Sequence, residues 1–173
     1  SDLDWLQYGI PQACHYTLQQ EKLIIMDKPH SHNQYYAGYS VRTKGANDLN
    51  LPVSLKKKIT NQQNKDYWVS GNISNHTDGY CITTQLHDGK LGKLLCQREF
   101  IGDNIFTIID NIALQIRYDL GIPSSHIEST DSLSISDNYT NNMEAFELYM
   151  KGKFEIKENK EVRAVKETLE SAV

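Results

Sequence analysis

The histidines of this sequence are of a type, and in part at a spacing, that could serve metal binding or acid–base chemistry. His30 and His32 are separated by one residue, and His87 stands beside Asp88 at a predicted turn. Two imidazoles could bind zinc, but such a site needs further ligands, and no nearby acidic or sulfur partner is evident. Aspartate at a turn commonly caps its own backbone. We therefore expect no metal site, with His30 and His32 structural or exposed and His15 partly buried at the core edge.

The three cysteines, Cys14, Cys81 and Cys96, form an odd set with no CxxC spacing, which argues against a zinc cluster or a redox dithiol. A turn centred near Lys90 would place Thr84 opposite Cys96 in a hairpin. Cys81 would then lie on the other face of the sheet, because neighbouring strand residues point to opposite faces. A bridge between Cys81 and Cys96 is disfavoured, and pairing of Cys14 with either one stays open.

Catalytic and nucleotide-binding motifs are absent from the sequence. It contains no GxSxG, GxGxxG, Walker-type lysine loop or HExxH, and its glycines sit at predicted hairpin corners. The run Lys56 to Lys58 is most simply the solvated face of a helix. A net charge of −4 leaves no basic excess for binding nucleic acid. We therefore predict a protein that is not an enzyme, with no catalytic, cofactor-binding or metal-binding residues and no cofactor.

Aromatic residues give the more suggestive signal. Tyr35, Tyr36 and Tyr39 cluster in an irregular segment, and Trp68 begins a predicted strand. Tyrosine and tryptophan are favoured at interfaces because they bury a large area at a low cost in conformational entropy. These four residues are the predicted interaction surface. The alternative, that the rings cover the edge of the core, is left open.

The composition is that of a water-soluble globular domain. The chain has 173 residues, of which 39% are hydrophobic and 23% charged. No apolar stretch is long enough to span a bilayer, and the opening SDLDWLQYG is unlike a signal peptide. We expect an excised piece of a larger protein, with any membrane segment or enzymatic domain outside it.

Hydrophobic periodicity defines the elements of the first third. The segment DWLQYGIPQACHYTLQQE follows the period of an amphipathic helix, with Pro11 inside it as a kink or a second start. KLIIMD, residues 22–27, suits a buried strand. Residues 28–51 suit a long loop with room for a short helix. Leu51, Leu55 and Ile59 then predict an amphipathic helix with a lysine-rich outer face.

The middle of the chain gives the strongest pattern. Residues 66–106 alternate in polarity through three short strands, and their two turns hold glycine, which predicts an antiparallel meander. The segment DNIFTIIDNIALQIRYDLGIP predicts a helix with Asp103 as its N-cap and Gly121 and Pro123 as its end. Its stripe of isoleucines is expected to pack on the sheet.

The last part of the chain predicts a separate unit. Residues 124–142 are polar and rich in Ser, Asp and Asn, which favours a linker. Residues 143–173 predict a helix, a break near 158–161 and a second helix. Such a hairpin cannot bury its own apolar face and is typical of one unit of a stacked helical repeat. The predicted domains are therefore 1–123 and 143–173.

The order and spacing of DWLQYGIP, KLIIMD, DYWVSGNIS, YCITTQLHDGKLGKLLCQREF, DNIFTIIDNIALQI and NNMEAFELYMKGKF resemble the TolB amino-terminal-like domain over nearly the whole chain. The strand ending in Gly71, the turn from Gln85 to Gly92 and the segment 145–152 are the most specific parts. In bacterial signalling proteins this domain often precedes tetratricopeptide repeats. It occurs beside adenylate cyclases, Ser/Thr kinases and membrane-anchored regulators similar to CadC.

The resemblance implies an α/β (α+β) fold with a mixed sheet and helices on one face. It implies a non-enzymatic sensory or protein-interaction module of a signalling or transcriptional regulatory protein, with a sensor of small molecules or cell-wall fragments as the alternative. The expected partner is a protein or another domain of the same polypeptide, and a periplasmic location is favoured slightly over the cytoplasm.

One departure from the family concerns the sheet. Family members begin with an LPF-x-N type strand before the position of SDLDW, and this chain has none. The sheet edge beside KLIIMD would then be open to pairing with another chain. A homodimer is therefore an expected alternative.

Overall fold

The computed structural model describes residues 3, 5–26, 34–36, 39–41, 52–130 and 133–157, with the backbone alone at 34–36, 39–41 and 154–157. His30, His32 and the second helix predicted after residue 161 lie outside these residues. The helices are α1 Leu6–Leu18, α2 Val53–Gln62, α3 Ile105–Asp119, α4 Ser124–Ser129, α5 Ile135–Asn138 and α6 Met143–Lys157. The strands are β1 Gln34–Tyr36, β2 Tyr39–Val41, β3 Tyr67–His76, β4 Gly79–Asp88 and β5 Leu94–Gly102.

The predicted meander is confirmed as a three-stranded antiparallel sheet in the order β3-β4-β5. The β3–β4 turn needs glycine, because Gly79 has φ +114° and a Cβ atom there would collide with the Gly102 carbonyl. The α+β fold class is confirmed. Both sheets in the described residues are antiparallel, so the mixed sheet of the prediction is not seen in that part of the chain.

The register of the second hairpin differs from the prediction by two residues. Cys96 lies opposite Leu86 rather than Thr84, because the turn is longer than expected and the ladder shifts between Leu86 and His87. An even shift keeps every side chain on its predicted face. Cys81 and Cys96 therefore still point to opposite faces, and all three cysteines of the chain are free thiols.

Helix α3 supplies the centre of the core. Its N-cap is Asn104 rather than the predicted Asp103, since the Asn104 Oδ1 atom accepts hydrogen bonds from the Phe106 and Thr107 amides at 2.9 and 3.3 Å. Gly121, with φ +78°, lies just past its end, as predicted. The isoleucine stripe is confirmed as buried at residues 105, 108, 109, 112 and 116. Each such side chain contributes about 1.5–3 kcal/mol through burial.

The two faces of the sheet are covered differently. Ile82 and Leu86 are buried on the α3 face, and α1 packs against the other side of α3. His87, which follows Leu86 and so points the opposite way, is also buried. Helix α2 covers that second face at the end of the sheet near the β4–β5 turn, so the helices do not all lie on one face.

The segment between α1 and α2 contains the main errors of the sequence-based prediction. KLIIMD is not a buried strand over its described residues: Leu23 and Ile25 are 60% and 87% exposed, while Ile24 and Met26 touch the core. The Leu23 amide is bound by the Glu21 carboxylate at 3.0 Å instead of a neighbouring strand. Farther along, the loop predicted at 28–51 contains the paired strands β1 and β2. No helix occurs in its described part.

The predicted linker also has structure. Helices α4 and α5 lie within residues 124–142, and Ile135 is fully buried in the same core as α1 and α3. Helix α6 begins as predicted and buries Phe146 and Met150 completely in that core. The division into domains ending at 123 and starting at 143 stays a prediction, but α6 is attached directly to α1.

Helix α1 runs through Pro11 from Leu6 to Leu18, and His15 on it is fully buried rather than at the core edge. Across the described part of the chain, every helix is too short or too polar to cross a bilayer.

Candidate interaction surface

A pair of stacked rings supports the end of the sheet beside α2. Trp68 of β3 and His87 of β4 are directly opposed in the ladder, and their ring centroids are 4.8 Å apart with planes at 7°. His87 is only 7% exposed. The Trp68 Nε1 and His87 Nδ1 atoms are both buried, and in the described residues neither has a hydrogen-bond partner. Trp68 is half-buried and packs against His87, and its place in an interaction surface stays a prediction.

The environment of His87 favours its neutral ring. Burial lowers the pKa of His87, the backbone at Gln85 opposes that effect, and the positive charge of Lys56 lowers the pKa further. Burial also lowers the pKa of the Lys56 ammonium. Lys56 is thus partly desolvated and is not the fully solvated lysine that the sequence predicts.

Helix α2 is fastened to the β4–β5 turn through its last turn. Asn61 Nδ2 donates to the Gly89 carbonyl at 3.1 Å, and the Gly89 amide donates to the Asp66 carbonyl at 2.6 Å. A Cβ atom at Gly89 would lie 2.7 Å from the Thr60 methyl group, so this close approach requires glycine. The turn and the helix therefore form one connected surface.

The turn itself is held by Asp88, as predicted for an aspartate in this position. Its Oδ1 atom accepts from the Lys90 and Leu91 amides at 2.8 and 2.6 Å. Leu91 at the tip is 71% exposed, and Leu94 and Leu95 are also exposed. Three exposed leucines therefore lie within five residues in the sequence, at an ordered turn and at the start of the strand that follows it.

Lysines and amides lie close to the turn. An open, shallow depression along the exposed face of α2 is lined by Ser54, Lys57, Lys58, Asn61 and Gln62. The Lys57 chain reaches the turn, where its Cδ atom is 3.3 Å from the position of a Cβ on Gly92. We call this region the α2–turn surface. It comprises Val53, Ser54, Lys57, Lys58, Asn61 and Gln62 of α2 with Lys90, Leu91, Lys93, Leu94 and Leu95 of the turn and β5.

The predicted tyrosines lie in a different sheet from Trp68. Tyr35 and Tyr36 are in β1, Tyr39 is in β2, and Tyr36 pairs with Tyr39 in the hairpin. Their side chains are outside the described part of the structure. A surface formed by Tyr35, Tyr36 and Tyr39 therefore stays a prediction.

A second set of reactive groups lies between β5 and α3. Asp119 accepts two hydrogen bonds from Arg98, Nη2 to Oδ1 at 2.6 Å and Nε to Oδ2 at 3.2 Å, and one from the Cys96 thiol at 3.2 Å. The Arg98 hydrogen bond holds the pKa of Asp119 below its usual value. Burial and Asp119 together raise the pKa of Cys96. A thiol in this state is a poor nucleophile, so the cluster fastens α3 to the sheet.

A buried carboxylate joins α1 to α4. The Glu21 side chain is 0% exposed and its Oε1 atom is 2.8 Å from His126 Nε2. Burial raises the pKa of Glu21, but hydrogen bonds from the Leu23 amide and His126, with the charges of His126 and Arg117, lower it overall. The carboxylate is therefore ionised and engaged at the corner where α1 ends.

The sequence analysis did not single out the α2–turn surface. It interpreted Lys56 to Lys58 as a solvated face and treated the turn as a frame. The available signal was a leucine at the tip of a lysine-containing hairpin, Lys90-Leu91-Gly92-Lys93, in an acidic chain. Within the described residues, no group of three or more His, Cys, Asp and Glu side chains is placed to bind a metal ion. No family model, curated protein or solved structure matches this chain.

Proposed function

We propose that this chain is a non-enzymatic sensory or protein-interaction module of a bacterial signalling or transcriptional regulatory protein. Its partner is a second protein or another domain of the same polypeptide. The resemblance of its motifs to the TolB amino-terminal-like domain supports this proposal.

The observation that carries the proposal is the exposure of leucines on an ordered turn. Leu91 lies in a turn that the Asp88 cap and the contact of α2 with Gly89 keep ordered, and Leu94 and Leu95 are exposed at the start of β5. Keeping three leucines in water costs apolar hydration energy that a contact with a protein removes, at about 25 cal/mol per Å² buried. An interaction module gains from such exposed leucines.

The state of the reactive groups gives further support. Cys96 donates to Asp119, Asp119 binds Arg98, and Glu21 binds His126. These contacts hold secondary-structure elements together, and none of them involves the residues that line the depression along α2. A module that binds rather than reacts has no need of an activated nucleophile or base.

Photo-cross-linking in the native host tests the proposal. A photoreactive residue is placed at Leu91 on the turn, Gln97 on the polar sheet face or Leu114 on the exposed side of α3. We expect a reproducible covalent adduct with a protein, or with another part of the same polypeptide, from at least one position. Hydrolytic or group-transfer activity of the pure protein that one point mutation abolishes would overturn the proposal.

A sensor of small molecules or cell-wall fragments is the second candidate, and the open depression along α2 is the place in the described residues where such a ligand would bind. A thermal-shift screen separates the two functions, because a ligand at about 100 times its Kd stabilises the fold by about 2.7 kcal/mol. Stabilisation by a small molecule, together with no adduct from any of the three positions, would favour the sensor.

A further inference from the structure

We propose that the α2–turn surface binds an acidic segment of a protein partner, with carboxylates on the lysines of α2 and an apolar side chain on Leu91. This inference rests on the proposed function in protein interaction. It adds a site, a partner chemistry and a mode of contact.

Charge is the first argument. The chain as a whole has a net charge of −4, yet this surface gathers Lys57, Lys58, Lys90 and Lys93. Lys90 is 3.8 Å from Asp66, whereas Lys57 and Lys93 form no ion pair in the described residues. The other acid at the turn, Asp88, accepts hydrogen bonds from backbone amides and keeps its charge, so four lysines are set against two acids here. A positive surface on an acidic protein attracts and orients a negatively charged partner.

The chemistry of the α2 face is the second argument. Ser54, Lys57 and Gln62 line the depression with groups that can donate hydrogen bonds, and no carboxylate is among its lining residues. Carboxylates accept such bonds, and charge-assisted bonds of this kind are about twice as strong as neutral ones. Asn61 serves the fold rather than a ligand, because the two hydrogens of its Nδ2 atom are donated to the Lys57 and Gly89 carbonyls.

The shape of the surface favours a polypeptide over a small anion. The lining residues run from Ser54 to Gln62, which is about 12 Å along a helix at 1.5 Å per residue. An extended chain covers that distance with about four residues. Leu91 and Val53, 71% and 51% exposed, add apolar area that a phosphate or another small anion would leave in water.

The surface is also preorganised. The Trp68–His87 stack lies on the sheet face that α2 covers, and the Asn61–Gly89 contact fixes the helix to the turn. Binding therefore orders few protein groups beyond the lysine side chains, which keeps the entropic cost of association low.

Fluorescence anisotropy with the whole chain tests the inference. The probe is a fluorescein-labelled peptide of alternating glutamate and leucine, and the same peptide with lysine for glutamate is its control. We expect the glutamate peptide to bind and the lysine peptide not to bind. Affinity should fall as NaCl rises from about 50 to about 500 mM, because salt screens exposed charges.

Matched variants locate the site. Lys57→Glu and Lys93→Glu should each weaken binding about five-fold or more, whereas Lys22→Glu, an exposed reversal outside the surface, should change it at most about two-fold. Lys57→Gln is the milder variant. Leu91→Ser should weaken binding, and Leu133→Ser, which also removes an exposed leucine, should not. Equal losses in Lys57→Glu and Lys22→Glu would overturn the site.

Competition identifies the class of ligand. Displacement of the peptide by inorganic phosphate, or tighter binding of heparin or single-stranded DNA with the same dependence on Lys57, would overturn the assignment to a protein segment. An unchanged affinity in Leu91→Ser would do the same. Cross-linking of a protein partner from Leu114 or Gln97 but not from Leu91 would overturn this inference while leaving the proposed function in place.

Discussion

Trp68 and His87 stack across β3 and β4 with ring centroids 4.8 Å apart, on the sheet face opposite α3. Helix α2 packs over this face, so the lysines of α2 are presented on top of Trp68, which follows the helix by six residues, and His87, which follows it by 25. Because His87 is buried beside Lys56, this stack is also sensitive to protonation.

His87→Phe is expected to make the fold less sensitive to acid. Since burial lowers the pKa of His87, the folded protein binds fewer protons there than the unfolded chain. The contribution of the neutral His87 ring to the free energy of unfolding is fully present above the unfolded pKa of about 6.5. It is lost as the pH falls from that value to the lower pKa of the folded state. Urea unfolding between about pH 7.5 and about pH 5 should show a smaller loss in His87→Phe. The control is His76→Gln at an exposed position, and equal acid sensitivity in His87→Phe and the wild type would refute the prediction.

Asp119→Asn is expected to increase the reactivity of Cys96. Burial, the hydrogen bond to Asp119 and its negative charge raise the pKa of Cys96, and the variant removes the charge while Arg98 remains. The thiolate fraction should rise, and with it the rate of reaction with Ellman's reagent at about pH 8. In a Cys81→Ser background the other remaining thiol is Cys14. It should not react, because it is buried and its pKa is raised to about 12. An unchanged rate would show that Asp119 does not control the thiol.

Phe146→Ala is expected to destabilise the whole α/β unit. Phe146 is fully buried and touches Trp5, Phe106 and Tyr139, with ring centroids 5.7, 5.3 and 5.8 Å away. Truncation of such a side chain costs about 3–5 kcal/mol. In a Trp68→Phe background the remaining Trp5 reports on the α1–α6 packing. In a Trp5→Phe background the remaining Trp68 reports on the sheet. Both signals should shift together in Phe146→Ala, whereas separate domains would leave the sheet signal in place.

Glu21→Gln is expected to lower the free energy of unfolding by about 1–3 kcal/mol at neutral pH, because His126 and the Leu23 amide lose a buried charged acceptor. The sign with pH follows from the lowered pKa of Glu21: its contribution is present above the unfolded value of about 4.3 and is lost as the pH falls through the folded value. The difference between variant and wild type should therefore shrink in acid. Glu128→Gln on exposed α4 is the control, and a cost that does not change with pH would contradict the assignment.

The sequence-based predictions were correct for elements whose own residues show a regular hydrophobic period. The isoleucines of α3 repeat with the helix, and all five from Ile105 to Ile116 are buried in the core. The meander alternates in polarity, and Tyr80, Ile82 and Phe100 face α3 as the parity requires. The predicted assignment of side chains to the two sheet faces is correct despite the error in register, because a shift of two residues leaves each side chain on the same face.

The errors occurred where a contact distant in sequence decided the outcome. KLIIMD has the composition of a strand, but Glu21 binds its Leu23 amide and no strand of the described residues pairs with it. The polar segment 124–142 reads as a linker, yet Ile135 and His126 attach it to the core: the Ile135 amide donates to Asp110 of α3 at 3.0 Å and its side chain is buried, and His126 binds Glu21.

By itself, the sequence determined the elements: the meander, the broad stripe of α3, the start of α6 and the glycines that its turns require. Each of these depends on interactions within a few residues, where periodicity and backbone preference decide. Only the tertiary structure decided that α2 covers the second face over Trp68 and His87, and that Lys57 meets the Gly92 turn beside Leu91. The contacts of α2 with His87 and with Gly92 join residues some 30 positions apart, and their geometry follows from how whole elements pack, which no local pattern encodes.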